Sequence, residues 1–476
     1  MEYNDGLYTA FLLDYIQAET STRSYRPTSE VDGMTHFANI VERAMIAFKR
    51  RRNSMLPVST LPIELLAAVF EWAVCTEVQK RYRELQRLRL VCSTWKTAID
   101  TSPALWSVLS SHHSSRTVDI ALERSGNHPL SVWHHLPSPS KGGPDLEISR
   151  LLARSGMQRW KFVSFQFTSP EPLAALREPA PLLEVLQLRV TNGIDRTYWM
   201  EDLFYGELPR LKELRLQSIS VPWSSRHFPA LRILDLSCIR DQGPTISQLF
   251  SILSQCSKLS KLILDYVVFS PDSTDQTDVQ PIMSSLLQLQ LDRLASASIN
   301  RILTNLNLPV LKQFYLACKL PRDEPTALFD HRLYLRTASF VSILQNANTD
   351  QEFLETMLKI PHLVDVSFTE PNEDIATLLA RLSAYDVDED GGVSWPLPEI
   401  HILCLSGDNF DISEVLVMVK SRYGRSESQQ GSKNRHPAPL VLLDVVDNTS
   451  WNEETLEEIR GIVGDGVLQW DECYDY

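Results

Sequence analysis

Apolar residues along this chain keep two rhythms, a helical one near the N-terminus and the two-residue rhythm of strands through the rest. The helical stretch reads LPIELLAAVFEWAV from residue 61, and then LRLVCSTWKTAIDTSPALW. Pro62 suits the first turn of a helix, where its missing N–H costs nothing, and Glu64 sets a negative charge near the positive end of the helix dipole. The pattern therefore predicts a helix from about Pro62, with Leu65, Leu66, Val69, Phe70 and Ala73 at three- and four-residue steps. A second helical stripe runs through Leu85, Leu88, Cys92, Trp95 and Ile99, with Arg87, Arg89, Lys96 and Asp100 mostly off it. Ser102 and Pro103 read as the cap and first turn of a third, short helix carrying Leu105 and Trp106. Three such helices make an all-helical unit of roughly 45 to 50 residues, a size at which a core is marginal unless something else covers its apolar faces.

Beyond that unit the chain repeats one phrase. LLEVLQLRV from 182, LPRLKELRLQSI from 208, FPALRILDLSCI from 228, CSKLSKLILDYV from 256, SSLLQLQLDRL from 284, LPVLKQFYLACKL from 308, IPHLVDVSFTE from 360 and LPEIHILCLSG from 397 each hold an apolar-x-x-apolar-x-apolar core. The leading residues Leu183, Leu211, Leu231, Leu259, Leu286 and Leu311 step by about 20 to 28 residues, the period of leucine-rich repeats. Helical patterns lie between the phrases, as in TISQLFSILSQC from 245 and EDIATLLARLSAY from 373. Weaker copies extend the array: HPLSVWHH from 128, MQRWKFVSFQF from 157, a degenerate copy near Leu335 to Leu344, and APLVLLDVVDN from 438. The self-similar phrase, and the lack of a glycine-rich turn after any strand, favour a repeat solenoid over an open doubly wound sheet. The expected fold is α+β: a small helical domain at 56–115, preceded by a partly ordered helical segment at 1–55. An α/β solenoid with a parallel concave sheet and outer helices follows at 116–476.

Strand periodicity sends the leucines of each phrase into the core and stands the residues between them on the concave face. That assigns Gln187, Arg189, Glu213, Arg215, Asp235, Lys261, Asp265, Gln290 and Tyr315 to a mixed polar surface, suited to a protein segment rather than a small apolar ligand.

The 476 residues, 43% of them hydrophobic, are enough for two or three domains, or for one short domain plus an array. A net charge of -14 removes any chain-wide pull toward phosphates, so nucleic acid is not an expected partner. Seven scattered cysteines without a C-x-x-C pair point to reduced thiols and a cytoplasmic or nuclear protein, and no apolar run is long enough to predict a membrane span. Asp386 to Gly391 matches the opening of an EF-hand loop, but Leu397 stands where its twelfth-position carboxylate belongs, which leaves an acidic surface loop. The basic run from Lys49 to Arg52 reads as solvated linker, and Cys75 and Cys92 as buried helix residues. The sequence carries no phosphate-binding loop, nucleophile elbow or H-E-x-x-H pair, so neither catalysis nor a cofactor or metal is expected.

Leu61-Pro62-x-Glu64-Leu65, Val69-Phe70, Val91-Cys92-x-x-Trp95 and Leu105-Trp106, in that order, resemble the F-box of proteins from mushroom-type fungi, over about a tenth of the chain. The stretch between Phe70 and Leu88 is longer and more basic than that family's compact form. The repeats resemble the irregular, cysteine-poor kind found in such proteins. The resemblance implies a substrate receptor of an SCF-type ubiquitin ligase, which would dock on a Skp-type adaptor and through it on a cullin. It implies adaptor contact by Leu61, Pro62, Leu66, Val69, Phe70, Val91, Cys92 and Trp95, and repeats that hold a protein target. Leu61, Pro62, Phe70 and Trp95 should then be open in the isolated chain, with Leu105 and Trp106 buried against the solenoid.

Overall fold

A computed structural model describes residues 5–22, 29–74, 77–135, 151–152, 154–191, 196–201, 203–206, 208–223, 228, 230–271, 283–318, 340–346, 363–369, 375–387, 393–406, 410–424, 437–446, 452–464 and 466–471. The chain divides into two compact units, Met1–Trp133 and His134–Tyr476.

The first unit opens with helices α1 (Asp5–Thr22) and α2 (Glu30–Ser54), the latter covering the FANIVERAMIAFKRRR segment and capped by Ser29, whose hydroxyl accepts from the Asp32 N–H. The Lys49 to Arg52 run stands exposed in its last turns. Helix α3 (Ile63–Ala73) starts directly after Pro62, where the proline and acidic residue place it. The single stripe from Leu85 to Ile99 is split between α4 (Arg81–Arg89) and α5 (Ser93–Asp100). Cys92 stands between them with an extended backbone (φ -160°, ψ 168°). The break falls at Leu90-Val91-Cys92, and Val91, Ser93 and Thr94 around it are β-branched or compete for backbone hydrogen bonds and so weaken a helix interior. Cys92 is half-buried rather than sealed in a helix, a correction to its expected burial; Cys75 lies outside the described residues.

A 3-10 turn at Pro103–Trp106 presents Leu105 and Trp106 to the interior, each 1% exposed. Trp106 is the hub of this unit. Its ring stacks on Tyr82 at 5.5 Å, its indole N–H donates to the Ile99 carbonyl at 2.7 Å, and the Arg124 guanidinium lies 4.4 Å from its centroid. The Tyr82 hydroxyl has the carbonyls of both Trp106 and Val108 within reach of its one proton, so the one polar atom on that ring is satisfied inside the core. Asp100 gathers Arg89, Lys96 and Arg124 within 3.0 Å. Burial alone would push its carboxyl up, but these three cations outweigh that and hold it below the usual range. Strand β1 (Val108–Ser110), helix α6 (Ser115–Ser125, capped by Ser114) and the parallel strand β2 (Leu130–His134) follow.

In the second unit each leucine phrase is a strand. These are β3 (Trp160–Phe167), β4 (Val185–Val190), β5 (Tyr198–Trp199), β6 (Glu213–Gln217), β7 (Ile219–Ser220), β8 (Ile233–Ile239), β9 (Lys261–Val267), β10 (Gln288–Asp292), β11 (Gln313–Cys318), β12 (Phe340–Asn346), β13 (Leu363–Thr369), β14 (Asp386–Val387), β15 (Val393–Ser394), β16 (Ile402–Ser406), β17 (Leu442–Val446) and β18 (Leu468–Asp471). Two short pairs stand aside, β5 with β7 in parallel and β14 with β15 antiparallel. From β3 to β18 the others form one parallel sheet whose strands neighbour each other in chain order. A doubly wound sheet reverses its strand order at a switch point; this one does not. The degenerate copy near Leu344 is a full member, β12, pairing with β11 and β13. The helical pattern from Leu146 lies mostly outside the described residues, as do residues 388–392 of the acidic loop, and Leu397 is buried.

Helices α7 (Ile246–Gln255), α8 (Ser296–Asn305), α9 (Ile375–Ser383), α10 (Ile412–Tyr423) and α11 (Glu453–Val463) fill crossovers. The first of them starts with a reciprocal capping box between Thr245 and Gln248, and α10 with one between Asp411 and Glu414. Leu186, Leu188, Leu214, Leu216, Leu234, Leu236, Leu262 and Leu264 are buried in successive strands, with Leu249, Phe250, Ile252 and Leu253 of α7 in the same core. At the front the leucines give way to rings: Trp160, Phe165 and Phe204 meet edge to face, and Phe165 meets Phe167 the same way at 5.7 Å. Farther on, the buried Arg422 of α10 donates to the carbonyls of Leu382, Pro396 and Leu397, tying α9 and the turn before β16 together.

One regular feature has no glycine behind it. Gln217, Ser237, Asp265 and Asp292 are register partners, and the residues after them, Ser218, Cys238, Tyr266 and Arg293, all have φ between 51° and 58°. Each costs about 1 kcal/mol for a residue with a Cβ, and the repetition places a left-handed residue at the same level of four consecutive repeats, inside the strand in β8 and β9, whose Ile239 and Val267 still pair beyond it.

The helical unit carries a pH-sensitive contact. His113 accepts the Ser110 N–H at Nδ1, faces the Val78 carbonyl through Nε2 at 3.1 Å and packs edge-on to Tyr82. Burial, helped by His112 and Arg81 and opposed by the Val78 carbonyl, lowers its pKa to about 4. The unfolded chain takes up that proton near pH 6.5, so stability falls as pH drops from about 6.5 to about 4. Thermal melts of the full chain should show this loss, and His113→Gln should flatten that part of the profile; an unchanged profile in the variant would contradict the assignment.

Candidate functional site

Helix α3 is apolar on two sides. Leu66, Phe70 and Val74, four residues apart, turn inward, and Phe70 packs on Trp95 with centroids 4.9 Å apart. Leu65, Val69 and Trp72 form a second stripe at steps of four and three on the outer side, and all are exposed, Trp72 at 82%. Leu61 and Ile63 at the start of the helix, and Leu90 and Val91 in the break between α4 and α5, are also exposed, Leu90 at 86%. The break thus frees Leu90 and Val91, which an unbroken helix would have carried on its own periodicity. A helix that is apolar all round belongs in a core or at an interface, and seven exposed large apolar residues within 61–91 exceed the scattered leucines of an ordinary surface.

Of the residues implicated by the F-box resemblance, Leu61, Pro62, Val69 and Val91 are open, Cys92 and Trp95 are half-buried, and Leu66 and Phe70 are closed at 0% and 2% exposure. Phe70 therefore corrects the expectation that it stands open: it fills the space between α3 and α5 and packs against Trp95. Leu65, Trp72, Ile63 and Leu90 take the exposed places instead. Nothing in the apolar spacing of α3 distinguishes its two stripes, which is why the sequence did not sort them.

In the second unit the strand alternation is as the sequence predicts, leucines closed and the residues between them half-open. Register places these in rows across the sheet. One row is Ser164, Gln187, Arg215, Asp235, Ile263, Gln290 and Tyr315; another is Gln166, Arg189, Gln217, Ser237, Asp265 and Asp292. Glu213 and Lys261 share a third row with Val185 and Ile233. All nine residues proposed from the sequence thus lie on one face.

The rows are cross-linked. Ser164 Oγ donates to Gln187 Oε1 at 3.2 Å, and Gln187 Nε2 (2.8 Å) and Arg215 Nε (2.7 Å) both donate to Glu213 Oε1. Ser237 donates to Asp235 at 2.9 Å, and burial still pushes the Asp235 carboxyl above its usual range. Asp265 accepts a two-point fork from Arg293 at 2.8 and 2.7 Å. Arg240 and Arg293 both lie over the ring of Tyr266, 4.5 and 5.6 Å from its centroid. Ser164 and Gln166, and the Arg240, Tyr266 and Arg293 stack, belong to this surface although the leucine phrases did not single them out. The first two sit in the weakest phrase, and the stack follows the phrases, at the left-handed turn. Among the described residues no group of histidine, cysteine, aspartate and glutamate is placed to hold a metal ion, and no helix is long and apolar enough to cross a membrane.

No family model and no curated protein matches the sequence. Among solved structures, an internalin from Listeria monocytogenes is similar at 13% identity with a TM-score of 0.34, over 65% of this chain and 74% of that one. A likeness of that strength says nothing of what this chain binds, and the repeat description rests on the parallel, chain-ordered sheet itself.

The two stripes of α3 make opposite predictions for stability. Phe70→Ala should cost about 3 to 5 kcal/mol because it empties a packed site, whereas Trp72→Ala should change stability by less than about 0.5 kcal/mol. Denaturant unfolding of the full chain checks both, and equal costs would overturn the division into a closed and an open stripe.

Proposed function

We propose that this chain is a non-catalytic receptor, held by its helical unit on a small adaptor protein and holding a protein target on its repeats. The observation that carries the reading is the open stripe Leu65, Val69 and Trp72, with Leu61, Leu90 and Val91 beside it. This apolar surface coincides with the segment that resembles an F-box. The family's arrangement would set it against a Skp-type adaptor and so recruit a cullin. Leu66, Phe70 and Trp95 then act from behind, fixing the pitch of α3 against α5. Receptors of this kind work in the cytoplasm or nucleus. Their contribution is proximity: a target held on the repeats presents its lysines to a conjugating enzyme at high effective concentration. The polar face supports the second half of the reading, since it offers hydrogen bonds and charges across many rungs and only a few apolar anchors.

The full chain should bind a purified Skp-type adaptor directly. Leu61→Ala with Pro62→Ala, and separately Leu65→Ala with Val69→Ala, should each weaken that binding by about thirty-fold or more, since central apolar contacts are each worth about 2 kcal/mol, with unfolding midpoints unchanged. Wild-type affinity in both double variants would remove the docking assignment. Adaptor binding without cullin recruitment in a reconstituted mixture would leave the chain as an interaction scaffold outside ubiquitin transfer.

A further inference from the structure

The front of the polar face holds a cavity of about 300 Å³, over β3, β4, β6 and β8. Its walls include Ser164, Gln187, Arg189, Arg215, Asp235 and Ser237. Charge on this face is unevenly spent. Glu213 is occupied by Gln187 and Arg215, Asp235 accepts from Ser237, and Asp265 is neutralised by the fork from Arg293. The cations are less committed, although Arg215 and Lys261 both act on Asp235 through space. Among the described residues Arg215 donates only through Nε, and its side chain remains 41% exposed. Arg189 is exposed, and among the described residues neither it nor Lys261 has an ion-pair partner. A chain with a net charge of -14 thus presents at this cavity two guanidinium groups with donors that no described residue takes up.

A guanidinium with free donors, flanked by amide and hydroxyl side chains, matches a carboxylate in both charge and geometry. Resting on the reading of the repeats as a protein-binding face, we propose that this cavity receives an acidic peptide segment. One carboxylate pairs with Arg189, and the Arg215 side of the cavity takes a second. Gln187 positions Arg215 indirectly, because both share Glu213 and the shared oxygen fixes where the guanidinium points. Asp235 sets a limit at the far wall: its carboxyl repels a continuous run of acid, so the preferred segment carries its negative charge at the β4 and β6 end and a neutral or basic residue toward β8.

The test uses the full chain and a fluorescein-labelled peptide of eight glutamates, followed by fluorescence anisotropy, with an octalysine peptide as the counter-probe. The exposed Lys49–Arg52 run would attract the same peptide, so every protein in this test carries Lys49→Ala, Arg50→Ala, Arg51→Ala and Arg52→Ala, and binding then reports the cavity. The expected results are saturable binding of octaglutamate that weakens on raising salt, and a loss of about ten-fold in Arg189→Ala with partial recovery in Arg189→Lys. Arg189→Glu should abolish binding, and its unchanged thermal melt would separate this from misfolding. Failure of the parent protein with Arg189 intact to bind octaglutamate, equal binding by Arg189→Ala, or preference for octalysine would each overturn the proposal. Adaptor capture by the same preparations keeps the two readings apart. Adaptor binding without peptide binding sinks the cavity assignment alone, and peptide binding without adaptor binding sinks the adaptor-docking half of the receptor reading while the cavity stands.

Discussion

A single strand with its crossover cannot cover its own leucines. Everything in the second unit follows from that constraint: each repeat is stable only when the next one lies against it, and the parallel register from β3 to β18 is the repeated solution. Because the alternation has period two, burying Leu186, Leu214, Leu234 and Leu262 in one core obliges Gln187, Arg215, Asp235 and Ile263 to line up on the opposite face. The polar face is thus a by-product of packing, and its composition can vary without disturbing the core. The costs of holding that register are visible in the left-handed residues Ser218, Cys238, Tyr266 and Arg293, which lie at one level in four successive turns.

The helical unit meets the same shortage of core in another way. Its interior is built around Trp106, with Tyr82 stacked on one side and Arg124 over the ring, and the cations there are held by Asp100. That hub uses up Leu105, Tyr82 and Ile99. It leaves the outer stripe of α3 and the Leu90-Val91 corner exposed. Here an apolar surface is left over once the core is complete, and in the polar face a cation is left over once the neighbouring carboxylates are paired. Both proposed sites are residues of this kind, unspent after the fold has satisfied itself.

The leucine phrases made the sheet legible because their period is long, repeated and tied to strand parity, and even the degenerate copy at β12 fell where spacing placed it. The nine face residues followed from parity alone. Three things could not be read. The helix break at Cys92 was hidden because Leu85, Leu88, Cys92, Trp95 and Ile99 keep helical spacing straight through it. The closed and open stripes of α3 are equally apolar, so only the position of Trp95 decides that Phe70 is inside and Val69 outside. The positive-φ turns carry serine, cysteine, tyrosine and arginine, none of which announces a left-handed residue as glycine would.

Amide hydrogen exchange of the full chain with and without a purified Skp-type adaptor tests the docking surface most directly. Slowed exchange is expected only at residues 61–73 and 88–95, with the repeat strands unchanged. Protection confined to the repeats, or none in the helical unit under saturating adaptor, would contradict the docking assignment.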